Sequence, residues 1–342
     1  MNRNGRNKLL LDVRDLTVRF QRDEGLVKPL NGVSFRIRAG ESVGIVGESG
    51  CGKTMTAFCL LRILPPGGLI SAGSMRFRRR DGSEVDLARV RPGGKEMKAI
   101  RGAEIAMIFQ EPMTAFSPVH TIYNQIAEAI RLHQDLDKQA IRERVIELLG
   151  LVGIPDPQDR VDEFPFQFSG GMRQRAMIAM ALACNPRLLI ADEPTTALDV
   201  TVQAQVLQLI QRLQRELGLS LMLITHDLGV IAHTVEYVYV MYLGRIVESG
   251  PVEAIFDDPR HPYTIDLLNS IPKMTGSRKR ISPIQGSVPD AYSLPRGCPF
   301  HPRCRRRIAG VCSARVPREI DVGPDHRVTC FRYAPPAEEP DA

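Results

Sequence analysis

Long apolar runs are missing from this sequence of 342 residues. Because no stretch of about 18 apolar residues occurs, we expect no transmembrane helix. The N-terminal segment MNRNGRNKLLLDV also lacks the apolar stretch and the small-residue cleavage site of a secretory signal. Internal repeats and long low-complexity tracts are absent too. These absences predict a chain that is made in the cytosol and stays there.

Composition excludes further classes of protein. Hydrophobic residues make up 43% and charged residues 25%, which is ordinary for a soluble globular protein and excludes a collagen-like, mucin-like or largely disordered chain. The net charge of +6 would allow nucleic acid or an anionic membrane surface as a neighbour, but the excess is modest and a solvated surface is the simpler interpretation. Seven cysteines in a cytosolic chain argue against a disulfide framework.

The order of predicted elements indicates an α/β fold. Short β-branched segments fill residues 9–47 and predict strands, and strands alternate with helices again from residue 188, which favours a largely parallel sheet covered by helices. Between them, apolar residues at helical spacing predict a helical insert over 112–175. The chain turns rich in Pro and Arg after Pro251. We therefore predict a domain over 1–255 and an extension over 256–342.

The strongest local signal is a phosphate-binding loop at residues 47–54, GESGCGKT, which lies between a predicted strand and a predicted helix. Its glycines let successive backbone N–H groups face a phosphate chain, and the helix that follows directs its positive end to the same anion. Lys53 would neutralise the β- and γ-phosphates, and the Thr54 hydroxyl would bind Mg²⁺. Cys51 occupies a variable position, where a structural role is favoured over a redox role.

Two acidic residues end a later apolar strand. Asp192 is expected to hold Mg²⁺, and Glu193 can polarise a water molecule for attack on the γ-phosphate. His226 ends the next predicted strand and could reach the same phosphate, because the carboxyl ends of parallel strands line one crevice. By itself a histidine at a strand end is more often a satisfied polar group.

A Ser-Gly-Gly segment precedes the helix predicted from about Gly171 to Ala183. By themselves these residues, Ser169, Gly170 and Gly171, would indicate only the N-terminus of a helix, since Ser is a favoured N-cap residue. Their position ahead of Asp192 in the chain, however, favours a functional role over a capping role alone. Together these elements resemble the nucleotide-binding subunit of an ATP-binding cassette (ABC) transporter over residues 9–255.

The resemblance implies a P-loop NTPase fold with a RecA-like mixed sheet, an antiparallel β subdomain, an ABC-specific α-helical subdomain and a small Cys-rich C-terminal extension. It identifies Gln110 with the Q-loop glutamine, which senses Mg²⁺ and the attacking water, and Ala197-Leu198-Asp199 with the D-loop. Phe20 takes the place of an aromatic residue that stacks on adenine, with an ordinary strand residue as the less favoured alternative.

In that family the Ser-Gly-Gly segment is the signature, and it faces the γ-phosphate of the opposite subunit in a head-to-tail dimer. Phe168 and Met172 replace the outer residues of the usual LSGGQ, and a methionine cannot donate the hydrogen bond of the glutamine. The implied catalytic residues are Glu193, His226 and Gln110, and the implied magnesium ligands are Thr54, Gln110 and Asp192. The implied nucleotide site comprises Phe20, Gly47, Glu48, Ser49, Gly50, Cys51, Gly52, Lys53, Thr54, Asp192, Ser169, Gly170 and Gly171.

Four cysteines in the last fifth of the chain, Cys298, Cys304, Cys312 and Cys330, suggest an S₄ site for Zn²⁺ or an iron–sulfur cluster. Four unrelated thiols in an Arg-rich tail are the alternative. The strings HPYTIDLLNSIP and CPFHPRC resemble the C-terminal region of the oligopeptide/dipeptide branch of ABC ATPases, which favours a [4Fe-4S] cluster by resemblance only. The string SGGMRQR is similar to the D-type subunit of that branch.

The resemblance implies a peripheral ATPase on the cytoplasmic face of the inner membrane that powers import of di- or oligopeptides. Its partners would be a second ABC ATPase, two transmembrane permeases and an extracytoplasmic solute-binding protein, with the segment 111–121 beginning the surface that grips the permeases. Nickel or oligosaccharides are alternative solutes. A soluble ABC ATPase acting on DNA or ribosomes is disfavoured because no coiled-coil insert or second cassette occurs, and an exporter because no membrane span is fused.

Overall fold

The computed structural model describes residues 8–23, 25–110, 116–196, 199–270, 284–290 and 292–333. Within these ranges the strands are β1 (Leu9–Arg22), β2 (Gly25–Arg38), β3 (Ser42–Val46), β4 (Gly68–Arg78), β5 (Glu84–Asp86), β6 (Ile105–Ile108), β7 (Leu188–Asp192), β8 (Ser220–Thr225), β9 (Tyr237–Tyr242), β10 (Arg245–Pro251), β11 (Ile320–Gly323) and β12 (His326–Val328).

The helices of the same ranges are α1 (Lys53–Leu60), α2 (Lys95–Ile100), α3 (Ile122–His133), α4 (Lys138–Leu151), α5 (Pro157–Arg160), α6 (Gly170–Leu182), α7 (Val200–Leu217), α8 (Leu228–Thr234), α9 (Val252–Asp257) and α10 (Pro262–Asn269). No helix in the described ranges combines the length and the apolarity that crossing a membrane would require.

The strands form two sheets. An antiparallel sheet has the order β2-β1-β4-β5, and a mixed sheet has the order β11-β12-β10-β9-β3-β8-β7-β6. In the mixed sheet β9, β3, β8, β7 and β6 run parallel, so the carboxyl ends of β3, β7 and β8 meet at one edge. Every residue of these three strands is buried, which explains why they read as short, uninterrupted apolar runs.

The predicted helical insert is present as α3, α4 and α5, which pack with α6. Their apolar residues at helical spacing are buried: Ile122, Ile126 and Ile130 on α3, and Ile141, Val145, Leu148 and Leu149 on α4. Side chains of Thr121 and Asp137 cap α3 and α4 by accepting from backbone N–H groups. Residues 111–115, where we placed the start of the permease-binding surface, lie outside the described residues.

The observed fold confirms the predicted ABC architecture and departs from the sequence expectations at the end of one helix. The apolar string TMTAFCLLRIL predicts a helix that is stopped by Pro65-Pro66. Helix α1 instead ends at Leu60, and Arg62 takes a left-handed conformation with φ of 54°. Strand β12, in the predicted extension, pairs with β10 through Glu248 and Val328 and so continues the mixed sheet. The division at residue 255 stays a prediction.

Candidate functional site

The predicted phosphate-binding loop joins β3 to α1, and its shape requires glycine at two positions. A Cβ on Gly47 would lie 2.1 Å from the carbonyl oxygen of Met241, and a Cβ on Gly52 would lie 2.5 Å from that of Pro29. Gly52 also has a φ of 107°, which L-residues rarely adopt. Because β2 and β9 press so closely on the loop, no other residue fits at these two points.

The loop presents free donors to an anion. In the described part of the chain, the backbone N–H groups of Ser49, Gly50, Gly52, Lys53 and Thr54 donate to no protein acceptor. The buried Lys53 curls back, and its Nζ donates to the carbonyl oxygens of Gly47 at 2.7 Å and Glu48 at 3.1 Å. Unpaired amides around an ammonium group form a concave site that suits a phosphate chain.

Asp192, at the end of β7, has the environment of a cation ligand. Burial raises the pKa of its carboxyl to about 6, and the charge of Glu193 adds to the increase, while a Thr54 hydrogen bond and the Lys53 charge oppose it. Among the described residues, Asp192 Oδ1 is a buried oxygen with no hydrogen-bond partner. A buried acceptor is costly to leave unpaired, so this oxygen, beside the Thr54 hydroxyl, fits a bound Mg²⁺ ion.

Glu193 lies at the centre of a polar cluster. Its Oε2 accepts from Gln110 Nε2 at 3.2 Å and from Thr196 Oγ1 at 3.0 Å, and its Oε1 lies 3.0 Å from Nδ1 of His226. Its φ of 44° is left-handed, a strained conformation that is held by the donation of its N–H to the Ile224 carbonyl. The structure thus brings together the three residues predicted to be catalytic.

The Ser-Gly-Gly segment forms the exposed start of α6. The Ser169 side chain caps the helix by accepting from the Met172 N–H at 3.3 Å, and a Cβ on Gly170 would meet no atom of the described structure within 4 Å. Sequence reasoning missed Gln174 on the same helix, whose buried Nε2 donates to the Pro194 carbonyl at 2.6 Å. That bond ties α6 to the loop that follows Glu193.

Comparison with known proteins assigns this arrangement to a family. The family model described as ABC transporter matches residues 30–196, and that described as oligopeptide/dipeptide transporter, C-terminal region, matches residues 247–312. The dipeptide transport ATP-binding protein DppD of Bacillus subtilis is 47% identical over 323 residues, covering 94% of each chain. The chain belongs to the ABC transporter ATP-binding proteins. It is therefore an ATP-hydrolysing ABC ATPase.

Other relatives agree with this assignment. A probable peptide ABC transporter ATP-binding protein of Sinorhizobium fredii is 48% identical over 334 residues, covering 97% of each chain. A bacterial ABC transporter cassette solved as a dimer is 25% identical, with a TM-score of 0.62 over 71% of this chain and 99% of that chain. CbiO1 of Clostridium perfringens, part of the transporter complex CbiONQ, is 27% identical with a TM-score of 0.60 over 74% and 92%.

Two residues implied by the resemblance to ABC ATPases, Phe20 and Asp199, make contacts within the chain that differ from the expected ones. The Phe20 ring is only 5% exposed, because Gly68 approaches its edge and the Arg22 guanidinium lies 5.5 Å from its centroid. A base can stack on this ring only if Arg22 moves off its face, so the adenine role stays a prediction. Asp199 of the predicted D-loop caps α7 by accepting from the Val202 N–H, whereas Ala197 and Leu198 lie outside the described residues.

Cys51 of the loop is buried, and burial raises the pKa of its thiol to about 11. A thiol that stays protonated at neutral pH is a poor nucleophile, which agrees with the structural role favoured for this position.

The four C-terminal cysteines do not form a ready ligand shell. All four are free thiols. Burial raises the pKa of Cys298, and the thiols of Cys312, Cys330 and Cys304 lie near enough to add to the increase. Across the described residues, however, no group of three or more His, Cys, Asp or Glu side chains is arranged to hold a metal ion. The expectation of an S₄ site for Zn²⁺ or an iron–sulfur cluster is therefore not supported by the described residues. The four thiols lie near one another, but they are not arranged as closely as the ligands of a single metal ion must be.

Proposed function

We propose that this ABC ATPase powers the import of di- or oligopeptides through separate permease subunits. The names of the relatives from Bacillus subtilis and Sinorhizobium fredii and the match to the C-terminal region of oligopeptide/dipeptide transporters support the solute class. One structural observation carries the ATPase part: the Glu193 carboxylate is held between the Gln110 amide and the His226 ring, beside Asp192.

Each residue of the site has a role that follows from the chemistry of its side chain. The free amides of Ser49, Gly50, Gly52, Lys53 and Thr54 and the Lys53 ammonium bind the phosphates. Thr54, Asp192 and Gln110 would hold Mg²⁺, which would neutralise phosphate charge. Glu193 accepts a proton from the attacking water, and Gln110 and His226 fix the direction of its carboxylate. His226 donates to the γ-phosphate once a nucleotide separates it from Glu193.

The signature segment acts on a partner cassette. At the start of α6, Ser169 and Gly170 are exposed and Gly171 is half-buried, and the start of a helix favours a phosphate. We infer that it closes over the γ-phosphate bound by a second ABC ATPase, so that ATP joins the two subunits and hydrolysis releases them. A solved relative is a dimer, and the string SGGMRQR favours a heterodimer in which this chain is the D-type subunit.

The proposed assembly places the chain at the cytoplasmic face of the inner membrane, against two permeases and served by an extracytoplasmic solute-binding protein. Reconstitution tests it directly. Proteoliposomes that contain this chain, its partner ATPase and the permeases are expected to accumulate a labelled dipeptide only with ATP and the binding protein. Glu193→Gln assemblies should bind ATP and accumulate none. ATP-dependent uptake of nickel or an oligosaccharide in place of peptide would overturn the solute class.

A non-transport function acting on nucleic acid is the second class to test. The net charge of +6 is its only support in the sequence. Purification of the chain under native conditions is expected to recover permease subunits. Recovery of nucleic acid without permeases would contradict the transport function.

We also propose that Cys298, Cys304, Cys312 and Cys330 hold a [4Fe-4S] cluster, with Zn²⁺ as the alternative. Four free thiols in one small segment support the donor set, and the charges of neighbouring thiols add to the burial that raises the pKa of Cys298 and of Cys330. Protein purified anaerobically is expected to show a broad brown absorbance that is lost in Cys304→Ser. A colourless protein with stoichiometric zinc would refute the cluster.

A further inference from the structure

The C-terminal extension reaches into the phosphate-binding loop through Arg303. Its guanidinium forms a two-pronged ion pair with the Glu48 carboxylate, with N···O distances of 2.6 and 3.0 Å. The Arg303 side chain is 4% exposed and the Glu48 side chain 24% exposed. Bidentate pairs of this kind fix direction as well as distance. A residue of the extension thus fixes a residue inside the loop that binds ATP.

Arg303 is itself held rigidly. Its Nε donates to the Gln285 carbonyl at 3.0 Å, and its guanidinium lies 5.8 Å from the ring centroid of Tyr242 and 5.9 Å from that of Phe300. Tyr242 and Phe300 are fully buried aromatic residues. Because backbone, aromatic faces and carboxylate all constrain the guanidinium, Glu48 meets a donor that is already oriented.

A second contact holds the backbone of the same residue. The Glu48 N–H donates to the hydroxyl of Tyr263 at 2.9 Å, and Tyr263 is completely buried on α10, in the region matched to oligopeptide/dipeptide transporters. Both the amide and the carboxylate of Glu48 are therefore fixed by residues that follow the cassette. The amide of Glu48 is committed to Tyr263, which leaves phosphate binding to the amides that come after it.

We propose that Arg303 and Tyr263 are positioning residues for ATP binding, acting through Glu48. The physical reason is electrostatic and conformational. An unpaired carboxylate in the loop would repel the nearby triphosphate, and a partly buried charge without its partner is costly. Arg303 neutralises that carboxylate, and Tyr263 keeps the start of the loop curled. The inference rests on the ATPase activity and is independent of the transported solute.

Titration of the full-length chain with Mg²⁺ and a fluorescent ADP analogue, N-methylanthraniloyl-ADP, tests the proposal. Arg303→Met is expected to raise the Kd at least tenfold and the KM for ATP in parallel, with kcat of the assembled ATPase within twofold of the original chain. Arg307→Met is the matched control, because Arg307 is exposed and forms no hydrogen bond or ion pair within the described ranges. Failure of the unsubstituted chain to bind would instead contradict the ATPase assignment.

Removing the Glu48 charge distinguishes a loss of positioning in Arg303→Met from a loss of folding. In the Arg303→Met chain, the further change Glu48→Gln deletes the carboxylate left without a partner and should return most of the lost affinity. A general loss of structure would not be reversed in this way. An Arg303→Met affinity within twofold of the original, or no recovery on adding Glu48→Gln, overturns the proposal.

Two milder variants decide the matter if Arg303→Met does not fold. Arg303→Lys keeps the charge but loses the paired donors, and should weaken binding less than threefold. Tyr263→Phe removes only the hydroxyl that accepts from Glu48, and should weaken binding at least threefold. Unchanged affinity in Tyr263→Phe, or equal losses in both variants, would contradict the assigned roles.

Discussion

Two adjacent carboxylates of the site are placed in different environments. Asp192 is 1% exposed at the end of β7, and burial raises its pKa to about 6. Glu193, one residue later, is turned by its left-handed φ towards the side chains of Gln110, Thr196 and His226. Adjacent residues can therefore serve different tasks, with Asp192 as the metal ligand and Glu193 as the base, because the backbone directs them differently.

Glu193→Gln is expected to lower the ATPase kcat by at least 100-fold, since a general base contributes about 10²–10⁴ to the rate. The amide retains the shape of the side chain, so nucleotide binding should persist within threefold. ATPase assays and equilibrium binding of an ATP analogue check both statements. Glu216→Gln, an exposed change on α7, is the control. Undiminished turnover in Glu193→Gln would remove this residue from its role.

The Asp192 carboxyl also predicts a dependence on pH. Its folded-state pKa of about 6 lies above the ordinary value of 3.8, so it contributes most to stability when protonated, and that contribution is lost as pH rises from about 4 to about 6. Without nucleotide, Asp192→Asn is expected to raise the Tm at pH 7 by roughly 3 °C, with less effect at pH 5. Differential scanning fluorimetry measures this.

The same substitution should abolish the Mg²⁺-dependent part of nucleotide binding. Asp135→Asn, at an exposed position between α3 and α4, is the control for both measurements. A Tm difference that stays constant between pH 5 and pH 7 would show that the Asp192 carboxyl does not titrate in this range.

At the scale of elements, the sequence predicts what local chemistry determines. The buried strands β3, β7 and β8 read as apolar runs, and α3 and α4 show helical spacing. The string MRFRRRDGSEVDL, with a turn at Asp81-Gly82, predicts a hairpin, and β4 and β5 form it. The end of α1 is predicted less well, because the chain leaves the helix at Leu61 and Arg62 without help from proline.

The start of α6 gives an element-scale prediction. Because a Cβ at Gly170 meets no atom of the described residues within 4 Å, Gly170→Ala should leave the Tm of the single chain unchanged or slightly raised, as alanine favours helices. In the assembled dimer the methyl group would occupy space needed by the partner's phosphate, and kcat should fall at least tenfold. Equal ATPase activity of the two dimers would contradict the signature role.

Gly47→Ala is the contrasting variant. Its Cβ would lie 2.1 Å from the Met241 carbonyl oxygen, so the loop cannot keep its shape and nucleotide binding should be lost. Together the two substitutions distinguish a glycine that the fold requires from a glycine that a partner requires.

At the scale of the whole molecule, the contacts that join the extension to the cassette were beyond sequence reasoning. Arg303 and Glu48 are separated by 255 residues, and no spacing rule connects them. The resemblance identified the cassette residues, and local patterns placed Asp192, Glu193 and His226 on neighbouring strands. The ion pair, the Tyr263 hydroxyl contact and the pairing of β12 with β10 depend on how the completed chain folds back.

A further long-range contact between the cassette and the extension is formed by the buried side chain of Glu248. Glu248 on β10 is 1% exposed, and its carboxylate accepts from the N–H groups of Arg260 at 2.6 Å and His261 at 2.8 Å. Nε2 of His326, on β12, lies 2.8 Å from the same carboxylate. One side chain thus anchors the segment before α10 and the strand pair β11–β12 to the mixed sheet.

His326→Ala should lower the free energy of unfolding by about 1–3 kcal/mol, the range for leaving a buried polar group without one partner. The loss stays within that range because two backbone donors still satisfy Glu248. Urea denaturation measures it, with His233→Ala, an exposed change on α8, as the control. Limited proteolysis should cut His326→Ala first within residues 284–333, since β12 then loses the side-chain contact that joins it to Glu248. Cleavage beginning in the cassette would mean that Glu248 does not anchor the extension.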